Sequence, residues 1–280
     1  MLRIPAGEFI REIAETQETE GRQQTVRITR DFFLSDREIT VRLFQQFIDD
    51  AEYAGERPDD WHGVGREVSL SAEHPVQQVN WYDAVMFCNW LSRREGLTPC
   101  YERTGEKEKI KVGTREYEND GWRLIDGANG YRLPSEAQWE YACRAGTTTS
   151  FASGEDEAWL SAYGVYVVNS SSHAAVCGTK LCNAWGLFDM HGNVREWCGD
   201  RYAAYSEEAL AENPLSLSRP EGGSRRVDRG GGWINSARNC RSSDRYRFNP
   251  AFRSNSLGFR VAQVPSASKK LASGAESGSR

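Results

Sequence analysis

The sequence predicts a single α+β domain with few helices, short strands and much irregular loop. Only three segments show the apolar spacing of amphipathic helices, and elsewhere short apolar runs lie between clusters of Gly, Asn, Ser and Asp. The chain has 280 residues, with nine Trp, eleven Tyr and eleven Phe. These large side chains are enough to fill one core without disulfide support.

Capping residues set the limits of the three helices. Thr40 is a plausible N-cap for the first, and Asn80 caps the second, which ends before Gly96. Ser135 and Gln138 have capping-box spacing at the start of the third. The helices are predicted over residues 36–50, 80–94 and 135–144.

The remaining apolar runs predict strands or extended segments joined by long loops. The strands are predicted over residues 3–10, 24–34, 74–79, 131–134 and 257–262. The longest loops are predicted over residues 145–183 and 202–226. The domain is predicted to span residues 1–264, followed by a flexible polar tail over 265–280.

Charge and cysteine content restrict the function classes. The net charge is −5, yet residues 229–263 contain seven Arg and one Asp, so the rest of the chain is strongly acidic. That balance argues against broad nucleic-acid binding. No apolar run is long enough to span a membrane, and no basic and apolar leader starts the chain. We therefore expect a cytoplasmic protein with seven reduced cysteines, without excluding surface display by another route.

Six motifs occur in a fixed order along the chain: PAGEF, NWYDAVMFCNWLS, YRLPSEAQWEYACRAG, NAWGLFDMHGNVREWC, RGGGW and LGFRVA. Together they resemble the domain of the formylglycine-generating sulfatase-modifying enzymes over residues 3–264. The resemblance implies a variant C-type lectin fold, in which buried aromatic and Arg side chains hold irregular loops.

The same resemblance predicts which side chains hold the loops. Four Trp are expected to pack in or near the core: Trp139, Trp185, Trp197 and Trp233. Five Arg are expected to bond loop carbonyls or acids such as Glu136 and Glu196: Arg132, Arg238, Arg241, Arg245 and Arg260.

The copper site of the oxidase members is incomplete in this chain. Those members resemble one another in two cysteines, five residues apart, whose thiolates hold copper(I). Here Cys240 stands at the second cysteine position, Asn235 at the first, and Gly232 at a nearby serine position. An amide does not replace a soft thiolate ligand, so the sequence argues against an enzyme of this type.

Other sites for metals or catalysis are weakly indicated. Asp189, Asn193 and Glu196 in DMHGNVRE could give oxygens to calcium, as matching segments do in some family members, or could simply hold a turn. His191 in the same segment is expected to be structural. Cys177 and Cys182 have no second Cys or His pair beside them, so a zinc site on that pair is not predicted.

The segment from Gly231 to Arg260 follows a genetic regularity rather than a structural period. Substitution at the adenines of an AAC codon converts Asn into residues such as Ile, Ser, Asp, Tyr, Arg, Phe and Gly. It never gives Lys, Glu, Gln or Met, and these four residues are absent from the whole segment.

The segment also resembles the variable region of the variable proteins of diversity-generating retroelements. In that branch an Asn-rich template, of the form GGSWNNNARNCRSANRNNNNP..RNNNLGFR, is copied by a reverse transcriptase that mutates at adenines. The resemblance assigns fourteen candidate variable positions, within a variable region at about 231–260: Gly232, Ile234, Asn235, Ser236, Asn239, Asp244, Tyr246, Arg247, Phe248, Asn249, Phe252, Ser254, Asn255 and Ser256.

These positions favour a non-enzymatic, ligand-binding protein with a diversified surface. Tyr246, Phe248 and Phe252 would be anchors and Arg247 a charged contact, although three aromatics so close together could instead belong to the core. The ligand would be a protein or another macromolecule, with no cofactor required and calcium possible. The alternatives are a fixed lectin-like regulatory module and, less favoured, the copper oxidase.

Overall fold

The structure is a computed structural model that describes residues 1–13, 21–58, 61, 69–112, 114–217 and 225–263. The predicted tail over residues 265–280 lies outside these residues. Across the described ranges, short helices and small sheets alternate with long irregular segments, which agrees with the predicted α+β class.

The three predicted helices are confirmed, and each is capped by the expected residue. Thr40 Oγ1 accepts a hydrogen bond from Leu43 N at 3.3 Å, and capping boxes start the other two helices at Asn80 and Ser135. The α-helices of the described residues are α1 (Val41–Asp49), α2 (Trp81–Arg94), α3 (Glu136–Arg144) and the short α4 (Leu160–Tyr163). Two 3-10 helices span Glu157–Trp159 and Ala237–Cys240.

Thirteen strands are present in the described part of the chain. They are β1 (Leu2–Ile4), β2 (Gly7–Glu12), β3 (Gln23–Ile28), β4 (Phe32–Leu34), β5 (Tyr101–Val112), β6 (Arg115–Leu124), β7 (Tyr131–Arg132), β8 (Arg195–Arg201), β9 (Leu210–Glu212), β10 (Arg226–Arg229), β11 (Arg245–Phe248), β12 (Leu257–Gly258) and β13 (Ala262–Gln263). They form sheets in the orders β1-β4-β13-β7, β11-β10-β8-β12 and β2-β3-β9, and a β5-β6 hairpin.

The strand predictions differ from the structure at several places, and β8, β9, β10 and β11 were not predicted. Residues 74–79 form no strand and make a single bridge, between Pro75 and Thr40. The β5-β6 hairpin was not predicted, because its Lys- and Glu-rich sequence lacks the apolar alternation that marks a strand. Cross-strand ion pairs, such as Lys109 with Glu116 at 3.3 Å, align its two exposed strands.

The two largest apolar clusters among the described residues meet at β8, which gives Trp197 to the first and Cys198 to the second. In the first, Phe44 and Phe47 of α1 pack against Phe87 and Trp90 of α2, and Phe259 closes the cluster 5.3 Å from Phe87 between ring centres. The second joins α3 to β1, β3 and β4. The C-terminal part of the domain therefore completes the core that the first two helices begin.

A buried ion pair connects β8 to the chain that follows β12. The Arg260 guanidinium donates to both oxygens of Glu196, with Nε–Oε2 2.6 Å and Nη2–Oε1 2.7 Å, and neither side chain is exposed. Trp139 Nε1 donates to the same carboxylate at 2.8 Å. Arg260 also donates to the carbonyl oxygens of Phe188 and Ser35. This one contact set joins four separate segments.

Most other predicted Arg and Trp roles are confirmed, but the prediction for Arg238 was wrong: its side chain is exposed and makes no hydrogen bond or ion pair with the described residues. Arg245 pairs with Glu136 at 2.8 Å, and Arg241 donates to the carbonyl of Arg238 at 2.9 Å. Arg229, which sequence analysis missed, is fully buried and donates to Glu140 at 2.7 Å. Three of the predicted Trp are buried and the fourth is partly buried against the second cluster: Trp139, Trp197, Trp233 and Trp185.

Glu196→Gln should destabilise the domain by about 3 kcal/mol or more, because Arg260 would keep its charge in a dry site without a counter-charge. The free energy of unfolding from urea titration measures the effect. Glu8→Gln, which removes the exposed partner of Arg27, is the matched control and should leave the midpoint unchanged. Equal midpoints for the two variants would contradict the role given to the buried pair.

Candidate ligand-binding surface

Fixed backbone contacts hold the segment that contains the fourteen candidate variable positions. β11 pairs with β10 in antiparallel register and is the edge strand of its sheet among the described strands. Trp233 Nε1 donates to the carbonyl of Asn255 at 2.7 Å, which ties together the two loops that carry most candidate positions. Trp81 N donates to the carbonyl of Pro250 at 2.9 Å, which anchors the second loop to α2.

Most candidate positions lie at least partly in solvent. The exposed ones are Ile234, Ser236, Tyr246, Arg247 and Phe252. The half-buried ones are Asn235, Asn239, Asp244, Phe248, Asn249, Ser254 and Asn255. Among the residues between them, five are buried: Trp233, Ala237, Cys240, Ser242 and Pro250. The segment thus alternates between an outward set and an inward set without any regular period.

Two candidate positions are buried, so the expectation that all fourteen lie at the surface was wrong. A Cβ added at Gly232 would lie 3.1 Å from the carbonyl oxygen of Ser256 and 3.4 Å from Arg195 N. Ser256 is 4% exposed, and its carbonyl accepts a hydrogen bond from Arg195 N at 2.8 Å. Backbone therefore surrounds Gly232, and the burial of Ser256 favours a small side chain there as well.

Three aromatic side chains form a ridge on the surface, here called the aromatic ridge: Tyr246, Phe248 and Phe252. Phe248 stacks on Phe252 with ring centres 4.5 Å apart and meets Tyr246 edge-on at 5.0 Å. Tyr246 is 50% exposed and Phe252 41% exposed. Phe248 is half-buried and touches Trp197 of the core, so the ridge is exposed at both ends and anchored in the middle.

Arg195 lies beneath the ridge and contacts three candidate variable positions. Its Nε donates to Asn235 Oδ1 at 3.1 Å, its guanidinium lies 5.2 Å from the Tyr246 ring centre, and Nη2 is 3.8 Å from Asp244 Oδ2. On its inner side Nη1 donates to Asp228 Oδ1 at 3.0 Å. Burial raises the pKa of Asp228 to about 7. Arg195 is thus a fixed cation in the floor of the surface.

The geometry at Asn235 and Cys240 argues against a copper site, as the sequence does. Asn235 Oδ1 accepts hydrogen bonds from Gly232 N and Arg195 Nε, so the amide that replaces the first cysteine is engaged by protein. Cys240 is fully buried, and burial raises the pKa of its thiol to about 12. The residues present do not fit a two-thiolate copper(I) site.

His191 has the structural role expected for it. Nε2 accepts a hydrogen bond from Ala152 N at 3.0 Å, so the ring proton lies on Nδ1, which donates to the carbonyl of Cys240 at 2.8 Å. Burial lowers the pKa of His191 to about 4. The nearby thiol of Cys143 is buried too, and burial raises its pKa to about 12. With both ring nitrogens engaged, His191 is not positioned to activate that thiol.

The predicted calcium ligands are engaged by protein groups. Both oxygens of Glu196 are held by Arg260, and Asn193 Oδ1 accepts from Ala175 N at 2.8 Å. Asp189 differs, because Oδ2 accepts from Gly178 N at 2.7 Å while buried Oδ1 has no hydrogen-bond partner. The contacts of Asn193 and Glu196 support the turn-holding interpretation, and this donor set does not fit calcium.

Comparison with known proteins agrees with this architecture. A family model described as the sulfatase-modifying factor enzyme 1-like domain matches residues 1–265. The chain belongs to this family. It is 31% identical to the chaperone protein LppX of Paenibacillus barcinonensis, over 74% of this chain and 70% of that protein. It is 27% identical to the formylglycine-generating enzyme of Mus musculus, over 94% and 74% respectively.

A solved structure supports the predicted branch of the family. The chain is similar to Treponema denticola variable protein 1, with a TM-score of 0.75, 30% identity and 95% of each chain covered. The variant C-type lectin fold is therefore confirmed. Some other relatives are longer proteins, of which this chain spans 38%. Among the described residues, no helix has both the length and the apolar character needed to cross a membrane.

Ser256→Tyr should destabilise the domain more than Phe252→Ser, although both residues are candidate variable positions. The buried site has no room for a ring, so Ser256→Tyr should cost about 1–3 kcal/mol through overpacking. Phe252→Ser should cost less, about 1 kcal/mol, because the residue lies at the surface, 41% exposed, and the loss of its ring leaves no enclosed cavity. Urea unfolding of both variants measures the difference, and similar losses would refute the distinction between the two positions.

Proposed function

We propose that this chain is a non-enzymatic ligand-binding protein whose surface residues are diversified by a retroelement. One observation carries the proposal. The residues that adenine-directed mutagenesis would change lie mostly outward around the aromatic ridge, whereas five of the eleven residues interleaved with them, Trp233 and Pro250 among them, are buried. The similarity to a variable protein over 95% of both chains supports the same conclusion.

The composition of the surface suits recognition of a macromolecule. Aromatic and Arg side chains dominate binding hot spots, since they give large contact area and directional bonds. Tyr246 and Phe252 present such area, and Arg247 is exposed with its guanidinium 4.1 Å from the Tyr202 ring centre. Because the supporting backbone is fixed by framework contacts, the ligand would be bound by a surface that needs little ordering.

The proposal assigns no cofactor to this activity, and its ligand is a protein or another macromolecule rather than a nucleic acid. The formylglycine-generating type of copper oxidation is disfavoured by Asn235 and by the buried thiol of Cys240. A fixed lectin-like regulatory module is the remaining alternative, since it would have the same fold and a surface of constant sequence.

Sequencing the DNA around the gene separates the two binding hypotheses. We expect a near-identical copy of the segment that encodes Gly231–Arg260, richer in AAC codons, beside a reverse transcriptase gene. Differences between the copies should fall only at adenines of the template, and hence at the candidate positions. Differences at all four bases, or no copy at all, would leave the fixed module as the better explanation.

A display experiment tests whether the surface can work as a diversified binding face. Randomising the twelve outward or half-buried candidate positions with NNC codons, then selecting against hen egg-white lysozyme, should yield folded binders. Replacing the selected residues at positions 246, 248 and 252 by Ser should weaken the binding of lysozyme at least about tenfold. A library at four exposed positions of β2 and β3 (Glu8, Ile10, Glu12 and Gln23) is the control. Equal enrichment from both libraries would refute a specialised face.

A further inference from the structure

Two carboxyl side chains and one thiol, from two separate parts of the chain, meet in the interior behind the candidate variable positions. Glu38, Cys177 and Asp189 each offer a ligand atom, and these atoms all lie within 4.8 Å of one another. The three residues are 2%, 5% and 2% exposed. We propose that Glu38, Cys177 and Asp189 form a binding site for a thiophilic divalent cation of the zinc class.

The distance between the donor atoms of Glu38 and Cys177 matches tetrahedral coordination. Zinc–sulfur and zinc–oxygen bonds of about 2.3 and 2.0 Å, separated by a tetrahedral angle, place the two donor atoms about 3.5 Å apart. Cys177 Sγ lies 3.5 Å from Glu38 Oε2. A cation can therefore bridge these two atoms with little movement of either side chain.

An unpartnered oxygen of Asp189 is a second, independent observation that supports a bound ion at this place. Asp189 Oδ2 is fixed by Gly178 N, whereas Oδ1 is buried and has no hydrogen-bond partner. Leaving a buried carboxylate oxygen unbonded is costly, and a metal ion would satisfy it. The backbone of Asp189 is left-handed, with φ 58°, so the residue keeps this position at some local cost.

Hydrogen bonds around the cluster already orient its donors. Val194 N donates to Glu38 Oε1 at 3.0 Å, and Asn193 Nδ2 donates to Glu38 Oε2 at 2.7 Å. Such outer contacts fix metal ligands in known sites. Glu38 Oε2 also accepts from the Cys177 thiol, so release of the thiol proton would free that oxygen for an ion. Asn193, assigned above as a turn residue, therefore also has a place as an outer partner of the site.

The donor chemistry selects the class of ion. Calcium takes six to eight oxygen ligands and does not favour a thiolate, whereas one sulfur and two carboxylates suit zinc or cobalt(II). Binding would release the thiol proton, and any carboxyl proton, to solvent, which leaves three anionic ligands around a dication. Water would complete the tetrahedron.

The ion would connect segments that support the binding surface. Glu38 precedes α1, while Cys177 and Asp189 lie in the long loop region before β8. Asn193 bonds Glu38 through its side chain and Trp233 N through its carbonyl, at 2.8 Å. A metal at this place would therefore stiffen the frame beneath the candidate variable positions.

Cobalt(II) titration of the full-length, chelator-treated protein tests the proposal. We expect thiolate-to-cobalt charge-transfer absorption that saturates at one equivalent and is displaced by zinc. Cys177→Ser should abolish the band, and Cys182→Ser, at a half-buried cysteine outside the cluster, should retain it. Asp189→Asn keeps the shape and suits the left-handed backbone, and should weaken affinity by about tenfold or more.

Two outcomes would overturn the proposal. The first is the absence of a thiolate band in folded wild-type protein, or a band that survives Cys177→Ser. The second is equal cobalt affinity in wild type and Asp189→Asn. Since zinc bound to the native state raises its stability, the melting temperature of wild type should also rise with added zinc, and that of folded Asp189→Asn should rise less.

Discussion

Charged groups without access to water must be paired, and the pair between Arg260 and Glu196 meets this requirement at the centre of the domain. It joins the last sequence motif, LGFRVA, to β8, and through Trp139 to α3. Because irregular loops cannot satisfy their own carbonyls as helices and strands do, the fork of Arg260 also bonds two loop carbonyls. A fold with so much irregular backbone depends on such contacts for a unique structure.

The candidate ligand-binding surface and the residues that hold its backbone are largely separate, and Arg195 contacts both. The aromatic ridge can change without loss of the Trp233 or Trp81 backbone contacts, since those use main-chain carbonyls of the segment. Arg195, in contrast, bonds the Asn235 side chain on one side and the framework residue Asp228 on the other. Substitution at 235 or 244 would therefore alter how much of this cation faces a ligand.

Sequence patterns predicted the elements that are set by interactions between residues close together in the chain. Helix limits followed from caps such as Thr40 and Ser135, which act within one turn. β8 was missed because its charged residues pair with Asp228, Glu108 and Arg260 elsewhere in the fold. The β5-β6 hairpin was missed because its ion pairs form between the two strands, which the periodicity of one strand does not register. The outward ridge followed from the codon pattern. The burial of Ser256 and the approach of Cys177 to Glu38, 139 positions away, depend on tertiary packing.

The order of residues along the chain has a genetic consequence. Phe259, which closes the first apolar cluster, and Arg260 are both encoded after all fourteen candidate positions. A frameshift or premature stop in the stretch that we propose to be diversified would remove both residues and, with them, the closure of the first apolar cluster and the central ion pair. Such a copy would give an unfolded chain rather than a folded protein with a defective surface. Folding itself would thus act as a check on the reading frame.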